Sequence, residues 1–140
     1  MSSAAVKWIG GKQFVGIDST KHSVVLSTSE ENVGVKPSEM LLVALASCTA
    51  VDVVEIMAKR RTPLSLLEIG VSAEQDKEPP WAFRKIHLHY RLAGQGITEE
   101  AANMAIHISE TKYCSVAATI RGVAEISWDF ELIKEAEKTS

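Results

Sequence analysis

The chain is poor in cysteine. Its 140 residues hold only Cys48 and Cys114, too few for a disulfide framework and too few for a zinc site built from sulfur alone. That leaves two inert thiols or one redox pair. Basic charge is not in excess either: 15 Lys and Arg stand against 18 Asp and Glu, for a net charge of −3, so no positive field draws the chain to nucleic acid or an anionic membrane. The longest unbroken apolar run, Met40 to Ala46, is too short to span a bilayer, and the N-terminus lacks the charged-then-apolar layout of a signal peptide. These absences place the chain in the cytoplasm. No internal repeat, low-complexity tract or linker divides it, and neither a glycine-rich phosphate loop nor a Ser-His-Asp order is present. One domain over residues 1–140 is expected, with a length and a 46% hydrophobic content ordinary for a globular fold.

What is there is a clear alternation of periods. Val6, Trp8, Phe14, Val15, Ile17 and Val24 to Leu26 are separated by turn signals at Gly10-Gly11 and Asp18-Ser19-Thr20-Lys21, which predicts an antiparallel meander. Pro37-Ser38 opens a long helix to about Lys59. Its first part is apolar all round, which predicts burial at the centre of the fold. Cys48, Asp52, Glu55 and Lys59 then follow at steps of four, three and four, on one helix face. Leu67 to Ala73 and Ile86 to Leu92 alternate with polar residues as a hairpin would. Thr98 with Glu99-Glu100 predicts the start of a second helix running to Lys112. Cys114 falls where that helix gives way to a shorter one, and Ala124 to Leu132 alternates as a last strand. The expected class is α+β, an antiparallel sheet packed around a long buried central helix plus a second helix.

Composition alone favours structural thiols at Cys48 and Cys114, because a small hydrophobic cysteine suits an apolar helix and a mid-helix position gains nothing from that helix's N-terminus. The local sequences point further. Pro37-Ser38-Glu39-Met40-Leu41-Leu42-Val43-Ala44-Leu45-Ala46-Ser47-Cys48, continuing to Val54, resembles the central helix of the OsmC/Ohr family, and Lys112-Tyr113-Cys114-Ser115-Val116 resembles that family's second-cysteine motif. The similarity is closest to its YhfA-like branch. By this resemblance Cys48 matches the cysteine that attacks peroxide, Cys114 the resolving cysteine, and Glu39 the glutamate preceding the helical cysteine. It implies an OsmC-like fold, an intertwined homodimer with sites at the subunit interface, and a two-cysteine peroxidase or peroxiredoxin-like hydroperoxide reductase acting on organic hydroperoxides in oxidative stress. It implies a dithiol reductant such as a lipoyl-bearing protein, and neither metal nor organic cofactor. A straight helix carries Glu39 about 13 Å from Cys48 over nine residues, so Glu39 reaches that site through a bend or from another chain.

One departure bears on the activity. The family's peroxidases use an N-terminal arginine to lower the thiol pKa, and residues 1–59 contain none. Lys7, Lys12 and Lys36 supply charge without the planar fork, and Asp52 and Glu55 oppose ionisation of a nearby thiol. The competing expectation is therefore a redox-responsive or small-molecule-binding protein of the same fold that turns over no peroxide. His87 and His89 share a strand face with Lys85 and Arg91 and no acid of that strand, the pattern of a solvated face. His107 and Glu110, one helical turn apart, carry too common a spacing to mark a metal site.

Overall fold

A computed structural model of the chain describes residues 2–134; the expected span of one domain over 1–140 runs past them at both ends. The chain divides into two compact units, Met1–Val43 and Ala44–Ser140.

In the first unit the predicted meander is present: β1 (Ala4–Gly10), β2 (Gln13–Asp18) and β3 (Ser23–Ser27) form one antiparallel sheet in the order β1-β2-β3. Gly10 and Gly11 make the first turn at φ +114° and +52°, conformations that a side chain disfavours. The second turn is held by Asp18, whose carboxylate accepts hydrogen bonds from the Thr20 and His22 N–H groups, both at 3.0 Å.

The long helix, α1, spans Pro37–Lys59 as predicted. It is not covered all round. Its buried residues are Leu45, Thr49, Val53 and Met57, a stripe at steps of four, whereas Leu41, Val43, Val51 and Val54 are 40 to 64% exposed. Among the described residues, one face of α1 is covered. Taken whole, α1 is long and apolar enough to cross a membrane by length and composition, with a mean hydropathy of 2.0, which counting Met40 to Ala46 alone did not reveal.

In the second unit β4 (Leu66–Gln75), β5 (Phe83–Ala93) and β6 (Glu125–Leu132) form the sheet β4-β5-β6. β4 and β5 pair antiparallel, as expected of the hairpin, with Val71 opposite Leu88. The expectation of antiparallel pairing throughout fails at β6, which lies parallel to β5 with Trp128 beside Leu88. A parallel neighbour requires a crossover, and the segment between the two strands supplies it. Ile86, Leu88, Tyr90 and Leu92 of β5 are fully buried, and Trp128 meets the Tyr90 ring edge-on at 6.5 Å.

The crossover begins with α2 (Glu99–Ile108), capped by the Thr98 hydroxyl accepting the Ala101 N–H at 3.1 Å. The α-helix was expected to reach Lys112. It stops at Ile108, and Ser109–Tyr113 form one π-helical turn closed by the Cys114 N–H on the Ser109 carbonyl at 2.9 Å. A short helix, α3 (Ser115–Ile120), follows.

Candidate functional site

Cys48 is half-buried on α1, and Cys114, 3% exposed, caps the start of α3 with its sulfur accepting the Ala117 N–H at 3.3 Å. Both are free thiols. The π-turn carries Cys114 and the first residues of α3 to the cysteine face of α1: Cys48 Sγ lies 4.0 Å from Ser115 Oγ, and the two thiols are near enough to shift one another's ionisation. The structure thus brings together the two cysteines that the sequence singled out.

Their electrostatics diverge. Burial pushes the Cys48 thiol up, but hydrogen bonds from the Val116 N–H, the Cys114 thiol and the Ser115 hydroxyl and N–H outweigh it and hold Cys48 below the ordinary thiol value. Burial pushes Cys114 up to about 12, opposed by the Ala117 N–H and reinforced by the neighbouring Cys48. One thiol is poised to ionise and the other to stay protonated. The donors at Cys48 come from another element, not from the N-terminus of α1. Cys48 gains nothing from its own helix, but it faces the first N–H groups of α3.

The polar stripe of α1 is engaged. Ser109 is fully buried, and its hydroxyl lies 3.1 Å from the Thr49 carbonyl oxygen and 3.0 Å from Asp52 Oδ2, so Asp52 is tied to the π-turn. Glu110 is 4% exposed and accepts a 2.7 Å hydrogen bond from the Tyr90 hydroxyl. Burial holds its carboxyl above the ordinary value, with the Tyr90 bond and the charge of Arg121 opposing. Sequence reasoning set Glu110 aside as a common spacing with His107. The usable signal was its phase, four residues beyond Ile106 and eight beyond Ala102, both fully buried.

A cleft of about 340 Å³ begins at Asp52, one turn from Cys48, and is lined by Asp52, Glu55, Ile56, Lys59, Ile108 and Tyr113. It is mixed in polarity. The purely apolar hollow, Ala50, Val51, Val54 and Ala58 beside Glu55, lies on another face of α1. Glu39 belongs to the N-terminal unit, where it is exposed in the first turn of α1 and pairs with Lys36 at 3.5 Å.

The strand face carrying His87 and His89 has an acid that a single strand could not reveal. Parallel pairing sets Asp129 beside His89, and its Oδ1 bonds both His87 Nε2 and His89 Nδ1 at 2.8 Å. Among the described residues no group of three His, Cys, Asp or Glu is arranged to hold a metal ion.

With this geometry in hand, comparison with known proteins is informative. The chain is 32% identical over 130 residues to protein YhfA of Escherichia coli K12, covering 93% of this chain and 97% of that one. It superposes on an OsmC-like protein from Mycoplasma pneumoniae with a TM-score of 0.82 at 17% identity, covering 95% and 97% of the two chains. On the organic hydroperoxide resistance protein OhrB of Bacillus subtilis it superposes with a TM-score of 0.63 at 12% identity, covering 94% and 98%. These two likenesses are of fold. The pattern described as OsmC-like protein matches residues 28–129, a span that includes both cysteines, the π-turn and most of β6, and the chain belongs to that family.

Proposed function

We propose that the chain is a thiol-dependent, two-cysteine peroxidase that reduces organic hydroperoxides, soluble and cytoplasmic. The observation that carries this reading is the placement of the two thiols: the segment that bears the buried Cys114 sets the Ser115 hydroxyl 4.0 Å from Cys48 Sγ, and its donors hold Cys48 below the ordinary thiol value while burial raises Cys114. A Cys48 thiolate attacks the peroxide O–O bond and takes one oxygen; the other leaves as an alkoxide, which is protonated to the alcohol. Cys114 then condenses with the Cys48 sulfenic acid, forming the S–S bond and releasing water. A dithiol, for which a lipoyl-bearing protein is the expected donor, exchanges with the disulfide and restores both thiols. Family membership and the fold shared with a hydroperoxide resistance protein support the reaction class. Ile56, Ile108 and Tyr113 in the cleft beside Asp52 supply apolar surface for an organic substituent. The donors around Cys48 also answer the absence of arginine from residues 1–59, since backbone and hydroxyl groups can stabilise a thiolate as a cation does.

The working unit is read as a homodimer, supported by the apolar face that α1 leaves exposed at Val51 and Val54. Glu39, nine residues before Cys48, is assigned to a partner's site in that dimer.

The test is a free-thiol count on reduced protein before and after one equivalent of cumene hydroperoxide or hydrogen peroxide, alongside Cys48→Ser. Rapid loss of both thiols with the organic peroxide, absent from the variant, is expected. Survival of both thiols would leave the non-catalytic, redox-responsive reading in its place.

A further inference from the structure

Glu110 is the one carboxyl group among the described residues that the fold buries outright. A buried acid whose side chain meets a neutral phenol costs more than an apolar side chain of the same size, so packing does not account for it. Its connections do. The carboxyl accepts the Tyr90 hydroxyl at 2.7 Å, and its own main-chain carbonyl accepts a hydrogen bond from the Arg121 guanidinium at the end of α3. The Thr49 side chain lies near enough to the Tyr90 phenol to act on its ionisation, its own hydroxyl donating to the Ala46 carbonyl at 3.0 Å, and Thr49 is the neighbour of Cys48. The preceding residue, Ser109, holds the Thr49 carbonyl and Asp52 with its hydroxyl and the Cys114 N–H with its carbonyl. Hydrogen bonds therefore tie the turn that ends in Cys114 on two sides, to β5 through Glu110 and Tyr90 and to the residue beside Cys48 through Ser109.

We propose that Glu110, with Tyr90 as its donor, is the positioning residue of the resolving step, fixing the π-turn so that the Cys114 sulfur meets the sulfur of an oxidised Cys48. The proposal rests on the two-cysteine reading for the order in which the thiols act, but not on peroxide as the oxidant. The charged and titratable groups acting on Glu110 are Tyr90 from β5 and Arg121 from the end of α3; Asp52 of α1 bonds the neighbouring Ser109, and Cys114, at the end of the same turn, acts on Tyr90. Burial holds the Glu110 carboxyl above its ordinary value, opposed by the Tyr90 hydrogen bond and the charge of Arg121.

The experiment uses the aromatic disulfide 5,5′-dithiobis(2-nitrobenzoate) in place of peroxide. Cys48 thiolate attacks one sulfur, forming a mixed disulfide and releasing the first thionitrobenzoate. Cys114 then attacks the Cys48 sulfur, its proton passing to solvent, and the second thionitrobenzoate leaves as the protein disulfide forms. Followed by stopped flow, Glu110→Leu is expected to slow the second release about tenfold or more while leaving the first within roughly twofold. Tyr90→Phe shifts the second release in the same direction, and carries the test alone if Glu110→Leu does not fold. Glu110→Gln, which keeps the acceptor for the Tyr90 hydroxyl without the charge, restores the second release. Equal second-release rates in wild type and Tyr90→Phe, or equally slow release in the Leu and Gln variants, overturn the positioning role. A wild type that releases only one thionitrobenzoate overturns the two-cysteine reading and this proposal with it, a pattern distinct from either.

Discussion

Ser115 shows how little chemistry is needed to differentiate two thiols. Its hydroxyl and N–H are two of the donors that hold Cys48 down, and it follows directly on Cys114, which is buried and held up. The expected consequence of Ser115→Ala is a Cys48 thiol titrating at higher pH, with alkylation by iodoacetamide slowed about two- to fivefold near neutrality, since the 4.0 Å contact is a long one and Cys48 is partly open to solvent. The sign follows from the depressed pKa. The difference between variant and wild type is largest below the ordinary thiol value and closes at alkaline pH, where Cys48 is ionised in both. A rate–pH profile that coincides for the two proteins would remove Ser115 from the site.

At the level of elements, strand and helix placement was legible in the periods of the chain, and the coupling between elements was not. Pro37 and Lys59 bound α1 where the sequence indicated, and Thr98 caps α2 as its side chain allows. The π-turn was not legible, because one extra residue between Ile108 and Cys114 leaves no mark in composition and only tertiary bonds from Ser109 and Glu110 select it. Nor was the parallel pairing of β6, since Ile126 to Leu132 alternate identically in either direction. That pairing is what brings Asp129 to the two histidines. The π-turn has a direct test: deleting Thr111 converts the turn to ordinary α-helical spacing and rotates Cys114 by about 100° relative to α2. The fold, followed by circular dichroism, is expected to survive with the Cys48–Cys114 disulfide lost under mild oxidation. Undiminished disulfide formation would show that the extra residue does not position Cys114.

For the molecule as a whole, the apolar surface left on α1 sets the expected assembly. Val51 is 64% exposed and Val54 48%, next to Ala50 and Ala58. Covering this face is worth on the order of 25 cal/mol for each Å² removed from water. Val51→Glu together with Val54→Glu is expected to shift the protein from dimer to monomer in sedimentation equilibrium at micromolar concentration. A wild type that sediments as a monomer would assign the face to another partner. The sequence marks only the first part of α1, Met40 to Ala46, as apolar on every side; Val51 and Val54 lie beyond it, and periodicity cannot tell an intramolecular neighbour from an intermolecular one.

The parallel ladder between β5 and β6 also orders events in time. Both thiols are already in the chain by residue 114, but the crossover that carries Cys114 is closed only when Glu125–Leu132 docks beside β5. Long-range closure of this kind comes late, since the entropy of the intervening loop must be overcome before its contacts form. During synthesis Cys48 therefore emerges first, Cys114 second and the strand that closes the segment holding them together third. The pairing of the two thiols is the last arrangement expected to mature, and an unfinished chain carries them apart.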